Sequence, residues 1–254
     1  MIRQRLVLQP PQVEQLQNFS RINLNLEQQN YLYKVLRLRA GAEFIALDGQ
    51  GSWWRAVLTE DVEKVEILEK IPTNPDLQVD ITLAIAMPKA NGMEAVIRQA
   101  TELGVRRILP LWSDRTVIRP QTNIGAAKQE RWLKIAQEIS EQAHRSYVPQ
   151  IHEPQTLKEV ICKFTDAFTD AQKYICVTSK FTPHLLNALL NLEQLPSKIV
   201  ILTGTEGGWT ESETNLAIAH NFQPISLGDR ILAAVTAPVV ALSIITAVIE
   251  SNQC

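Results

Sequence analysis

Ile199-Val200-Ile201-Leu202-Thr203-Gly204-Thr205-Glu206-Gly207-Gly208-Trp209-Thr210 starts as an apolar run and ends in a glycine-rich turn. Thr210 with Glu213 three residues on is a capping-box pattern, so a helix is expected to start there. A buried strand that enters a tight turn and then a helix is the repeating unit of α/β domains with parallel sheets. Glycine in such a turn lets backbone approach a ligand closely, and Gly207 or Gly208 can take positive φ. The spacing is not the dinucleotide fingerprint, and no Lys-Ser or Lys-Thr follows as a phosphate loop requires. Taken alone, the segment also fits a strand-to-helix connection that binds nothing.

The same alternation continues on both sides. Ile81-Thr82-Leu83-Ala84-Ile85-Ala86-Met87 is almost unbroken apolar sequence, as a strand covered on both faces would be. Met93, Val96, Ile97, Ala100 and Leu103 follow at helical spacing, with Gly104 where a C-cap belongs. Arg107 to Trp112 is the next strand, and Trp132, Ile135, Ala136, Ile139 and Ala143 mark another helix. Strands are expected again at Tyr174–Thr178 and Pro224–Leu227, helices at 182–192 and 210–220, and a long apolar helix from Ala237 to Ile249. The pattern predicts an α/β domain with a mainly parallel sheet.

Residues 1–70 have a different rhythm of short strands and turns. Phe44 to Leu47 ends at Asp48-Gly49-Gln50-Gly51, Trp53 to Leu58 follows, and Val62 to Ile67 alternates apolar with charged residues. A small barrel is expected here. Ile71-Pro72-Thr73-Asn74-Pro75-Asp76 reads as a break, which divides the chain into residues 1–72, a linker at 73–79 and a second domain at 80–254.

The chain has 254 residues, of which 45 % are hydrophobic and 20 % charged, so a sizeable core is available. A net charge of −2 excludes a generally basic nucleic-acid binder, and any RNA footprint has to be a local patch. No apolar run reaches the ~18 residues of a membrane span, and the first residues lead into Gln9-Pro10-Pro11 rather than a signal-peptide core. Cys162, Cys176 and Cys254 lack metal-ligand spacing. Cys162 and Cys176 are expected as buried free thiols, zinc is not expected, and a reducing cytoplasmic setting follows.

Two further segments carry chemistry. Ile225-Ser226-Leu227-Gly228-Asp229-Arg230-Ile231-Leu232 is a short strand entering a glycine loop, and a helix starts near Thr236 with Pro238 in its first turn. Loops at the C-terminal ends of strands are where open α/β sheets bind ligands. Positive charge gathers mid-chain at Lys89, Arg98, Arg106, Arg107, Arg115, Arg119, Arg131 and Arg145. Arg98, Arg106 and Arg131 suit a solvated helix face, whereas Arg115 and Arg145 fall in expected loops and suit phosphates. His144, near a helix end, suits surface or capping.

Read together, these segments resemble the bacterial uracil-N3 methyltransferases of small-subunit ribosomal RNA, within the SPOUT class. The resemblance rests on Tyr31 to Arg37 with Gly41, Thr101 to Val105, Glu141-Gln142 with Arg145 and Val148-Pro149, Glu206-Gly207-Gly208, and Leu227-Gly228 with Arg230-Ile231-Leu232. It covers nearly the whole chain. It implies a PUA-like N-terminal β-barrel that binds RNA, a C-terminal α/β trefoil-knot domain, a homodimer, and S-adenosylmethionine held in the knot loops. The implied cofactor set is Thr178, Leu202, Thr203, Gly204, Thr205, Glu206, Gly207, Gly208, Ser226, Leu227, Gly228, Arg230, Ile231 and Leu232. Arg230 and Glu206 are the implied catalytic groups, although Glu206 also suits a loop anchor. Arg3, Arg5, Lys34, Arg37, Arg39, Lys89, Arg115 and Arg145 are the expected RNA contacts, with 16S ribosomal RNA or the small subunit as partner.

The chain departs from the family's usual pattern at four positions: Tyr31 for histidine, Thr205 for proline, Ala233 for arginine and Val235 for glutamate. The last two motivate a rival expectation, an RNA-binding protein of the same fold with weakened turnover. A third is a nucleotide-binding module built on Gly204–Gly208 at a helix start.

Overall fold

In the computed structural model, residues 4–16, 20–72, 76–117, 125–163, 168–179 and 181–252 are described. They form two compact units, one made of Met1–Asp76 together with Gln137–Val148, the other of Leu77–Ala136 with Pro149–Cys254.

In the first unit the chain runs through β1 (Arg5–Val7), α1 (Pro10–Leu16), β2 (Arg21–Asn23), α2 (Leu26–Gln29), a π-helical segment at Asn30–Val35, β3 (Glu43–Leu47), β4 (Trp53–Leu58) and β5 (Lys64–Ile71). The sheet order is β1-β3-β4-β5-β2, a half-barrel with β1 and β2 as its edges. Only the β1–β3 pair is parallel. The alternation that predicted a strand from Val62 is shifted: Val62 and Glu63 lie in a turn, and β5 runs on to Ile71. The Tyr31–Arg37 signature is helical as far as Val35 rather than strand, and Asn25 and Gln28 form a capping box that starts α2 directly ahead of it. Leu32 is buried there against Phe44, Ile22 and Leu58, while Lys34 stays exposed.

The segment 137–148 is tied into this unit by polar bonds. Glu141 accepts the Val7 N–H at 2.7 Å, and burial pushes its carboxyl up to about 7, opposed by that hydrogen bond. Asp76 accepts from the Arg145 guanidinium and from the backbone N–H groups of Ser146 and Tyr147.

The second unit begins with β6 (Asp80–Ala86), α3 (Gly92–Glu102) and β7 (Arg107–Trp112), and then α4 (Ala126–Gln142), whose last turns belong to the first unit. It continues through β8 (Gln150–Ile151), β9 (Gln155–Thr156), α5 (Leu157–Lys163), β10 (Gln172–Cys176), α6 (Leu185–Leu190), β11 (Lys198–Thr203), α7 (Glu211–Ala219), β12 (Gln223–Ile225) and α8 (Thr236–Ser251). The strand order is β12-β10-β11-β6-β7-β8, with β9 also on β7, and every pair is parallel. Parallel strands bury both faces, which is why β6 and β11 read as unbroken apolar runs. Their side chains, with Leu109, Leu111, Val160, Ile175 and Phe222, form the core. Because all strands point one way, the segments after β7, β10, β11 and β12 leave from the same edge of the sheet.

Among the described residues no helix is long and apolar enough to cross a membrane, and no cluster of His, Cys, Asp or Glu is arranged to hold a metal ion. Cys162 is exposed, against expectation, on the outer side of the short helix α5. Cys176 is half-buried at the end of β10, where burial pushes its thiol well above the usual range. Cys254 lies outside the described residues.

Candidate functional site

Three adjacent strand ends enclose a cavity of about 660 Å³ in the second unit, within the ~300–1,000 Å³ usual for small-molecule sites. The segment after β10 contributes Cys176, Val177, Thr178, Ser179 and Thr182 to the wall. The turn after β11 contributes Gly204, Thr205, Gly207, Gly208 and Trp209, with Thr214 from α7 behind it. The loop after β12 contributes Leu227 to Leu232, with Ala234 and Ala237 at the start of α8. Arg115, from the segment after β7, completes the lining.

The β11 turn is closely packed. A Cβ on Gly204 would lie 3.2 Å from the Gly208 backbone, so any side chain there would push the two segments apart by a few tenths of an ångström. The Gly208 N–H donates to the Thr205 carbonyl at 2.9 Å, and the Gly207 N–H to the Thr205 hydroxyl at 3.3 Å. Thr210 and Glu213 form the expected capping box at the head of α7. Glu213 also accepts the Asp114 N–H at 2.9 Å, which joins the β7 segment to this turn.

The β12 loop is held more lightly. The Gly228 N–H donates to the Ser226 hydroxyl at 3.0 Å, and Gly228 has φ +113°. Asp229, Arg230 and Ile231 are exposed, Ile231 by 85 %. Ala233 starts the next helix by accepting the N–H groups of Thr236 and Ala237. Val235 packs beside Gly92, where a Cβ would come within 3.0 Å of it.

Most of the residues expected around a cofactor therefore meet at one cavity: Thr178, Gly204, Thr205, Gly207, Gly208, Leu227, Gly228, Arg230, Ile231 and Leu232. Four do not reach its wall. Leu202 and Thr203 are fully buried at the end of β11, where strand pairing turns them into the core. Ser226 braces Gly228. Glu206 turns away and accepts the Lys89 N–H at 3.2 Å, so its carboxylate ties the β11 turn to the turn after β6 instead of facing the cavity.

The expected RNA contacts separate by burial. Lys34, Arg37, Arg39 and Lys89 are exposed. Arg5 is 8 % exposed and stacked over Trp53 at 5.1 Å, and burial lowers its pKa, so it is buried where an exposed cation was expected. Arg145 is likewise buried, 5 % exposed and paired with Asp76, as the desolvated charge requires. Arg107 pairs with Asp80 and Arg131 with Glu94, while Arg106 donates to the Leu77 carbonyl. Arg3 and Arg119 lie outside the described residues.

Sequence reasoning missed Cys176, Val177, Ser179, Thr182, Trp209, Thr214, Pro224, Ala234 and Ala237 as wall residues. Trp209 had a signal: a large aromatic directly after two glycines must pack over the turn they make.

A family model described as "RNA methyltransferase domain" matches residues 75–246, and one described as "RNA methyltransferase PUA domain" matches residues 24–68. The chain belongs to the RNA methyltransferase family. Ribosomal RNA small subunit methyltransferase E of Synechocystis sp. is 43 % identical, over 97 % of this chain and 78 % of that protein. Two solved structures are similar over nearly the whole chain. The enzyme of the same name from Neisseria gonorrhoeae, bound to S-adenosyl methionine, has a TM-score of 0.81 at 28 % identity, covering 96 % of this chain and 97 % of that one. A putative methyltransferase from Legionella pneumophila, in complex with the bound cofactor SAM, has a TM-score of 0.80 at 26 % identity, covering 97 % and 98 %.

Proposed function

We propose that this chain transfers a methyl group from S-adenosylmethionine to N3 of a uridine in 16S ribosomal RNA, in the cytoplasm and as a homodimer with a C-terminal trefoil knot. The observation that carries this reading is the cavity at the ends of β10, β11 and β12, in a chain whose relatives are ribosomal RNA methyltransferases. The wall suits the cofactor. Gly204 and Gly208 leave a shelf of bare backbone, and the Trp209 indole N–H is buried on the wall without a protein partner among the described residues. Leu227, Ile231, Leu232, Ala234 and Ala237 supply an apolar side for a purine.

S-adenosylmethionine supplies an electrophilic methyl on a sulfonium sulfur. The protein's part is to hold the acceptor in line with it, and positioning of this kind removes ~7–11 kcal/mol of barrier in favourable cases. Uracil N3 carries a proton that has to leave. Arg230, exposed at the cavity wall, stabilises the charge developing on the uracil oxygens, and Asp229 beside it receives the proton. Glu206 holds the loop rather than the proton. The exposed cations Lys34, Arg37, Arg39 and Lys89 supply phosphate contacts to single-stranded RNA.

The decisive experiment incubates the purified chain with isotopically labelled S-adenosylmethionine and small ribosomal subunits, then identifies the product nucleoside by mass spectrometry. N3-methyluridine is expected. Cofactor binding without transfer would favour the second reading, a binding protein with weakened turnover, which Ala233 and Val235 motivate. Preference for ATP over S-adenosylhomocysteine in calorimetry would reject both.

A further inference from the structure

Arg115 sits on the cavity wall with most of its hydrogen-bonding capacity unused. One guanidinium nitrogen donates to the Gly207 carbonyl, and among the described residues no carboxylate and no second acceptor engages it. The side chain is exposed, but the backbone that carries it is fixed. Its segment is fastened at each neighbouring residue: the Ser113 N–H donates to the Thr116 hydroxyl at 2.9 Å, the Asp114 N–H to Glu213 at 2.9 Å, and the Thr210 hydroxyl to the Asp114 carboxylate at 3.0 Å. Gly207 gives it room, since a Cβ there would be 3.3 Å from the Arg115 Cδ. The result is a preplaced guanidinium with unshared N–H groups on the wall.

The lining around it points to what it holds. Apolar side chains belong mainly to the β12 loop and the start of α8, whereas the Arg115 guanidinium lies on the Gly207 carbonyl of the β11 turn. A methyl donor of the proposed kind has a flat purine end and a zwitterionic amino-acid end. We infer that Arg115 anchors the carboxylate of that amino-acid end, a role that rests on the proposed function. A guanidinium fork matches a carboxylate in plane and in charge, and holding the arginine beforehand removes part of the ordering cost of binding. Arg115 is tied to the Gly207 carbonyl, a bond that Arg230 lacks among the described residues.

The test is calorimetric titration with S-adenosylhomocysteine and with 5′-methylthioadenosine, which keeps the nucleoside and thioether but lacks the carboxylate. Arg115→Ala is expected to weaken S-adenosylhomocysteine binding by ~10- to 100-fold, the usual range for a hydrogen bond to a charged group, and to leave 5′-methylthioadenosine within about twofold. Arg115→Lys, which keeps the charge and stem but not the fork, is expected to fall in between. Equal losses for both ligands in the lysine variant, or no loss of S-adenosylhomocysteine in either, would overturn the assignment. So would an unchanged S-adenosylhomocysteine affinity with a raised KM for ribosomal subunits, which would give Arg115 to the RNA. Failure of the unsubstituted protein to bind S-adenosylhomocysteine would instead bring down the functional reading, and this inference with it.

Discussion

The turn after β11 and the loop after β12 both follow a parallel strand, both contain glycine and both line one cavity, yet the chain holds them very differently. The β11 turn is fixed from every side, by Gly204 against Gly208, Arg115 on the Gly207 carbonyl, Glu206 on the Lys89 N–H and a capping box at its exit. The β12 loop is held at its start, where Ser226 braces Gly228 and bonds the backbone of Pro183 and Leu185, and the three residues after Gly228 are open to solvent. A Cβ on Gly228 would meet nothing within 4 Å. One wall of the site is therefore closely tied and the other open to solvent. On the proposed reading the cofactor and the second protomer cover the open wall, where Ile231 is exposed by 85 %.

Breaking the rigid wall should cost most. Gly204→Val drives a branched side chain into the Gly208 backbone, which cannot swing aside. A stability loss of about 1–3 kcal/mol is expected from overpacking, read by thermal unfolding. The same variant should lose S-adenosylhomocysteine affinity by more than ~100-fold, because the backbone shelf is filled. Gly228→Val tests the looser wall. Its side chain meets no atoms, but φ +113° strains any branched residue, by roughly 1–3 kcal/mol. A cofactor affinity lower by about tenfold is expected, and a loss equal to that of Gly204→Val would mean that the two walls are equally fixed.

Smaller effects should come from the ties around the rigid turn. Glu206→Ala removes an exposed hydrogen bond to Lys89, so a stability change of about 0.5–1.5 kcal/mol is expected, with turnover falling only modestly. A pH–rate profile that loses its acidic limb in that variant would show Glu206 to be the base after all. Ala233→Arg adds a cation on an exposed position at the end of the loose loop, so folding should be unaffected and methyl transfer unchanged or raised. A sharp fall in kcat/KM would mean that the site has been rebuilt around the small residue.

Much of this was legible in the chain itself. Strands covered on both faces announce themselves as unbroken apolar runs, and β6 and β11 lie within a residue of where those runs put them. Capping chemistry is equally local, as Thr210 with Glu213 illustrates. The first unit was harder. Short half-exposed strands give weak alternation, so β5 came out displaced by its flanking charges, and the helical turns over 10–16 and 26–35 were passed over in favour of strand.

What the sequence determined, then, is the succession of elements and the two glycine turns, because backbone preference and burial period are set by neighbours along the chain. What only the tertiary structure decided is the fate of each charge. Arg145 and Arg115 look alike as loop arginines, but Arg145 is buried by an aspartate 69 residues away, while Arg115 faces the cavity with N–H groups to spare. Desolvating a cation is costly unless a partner meets it. Which partner arrives depends on distances across the fold that no local pattern encodes.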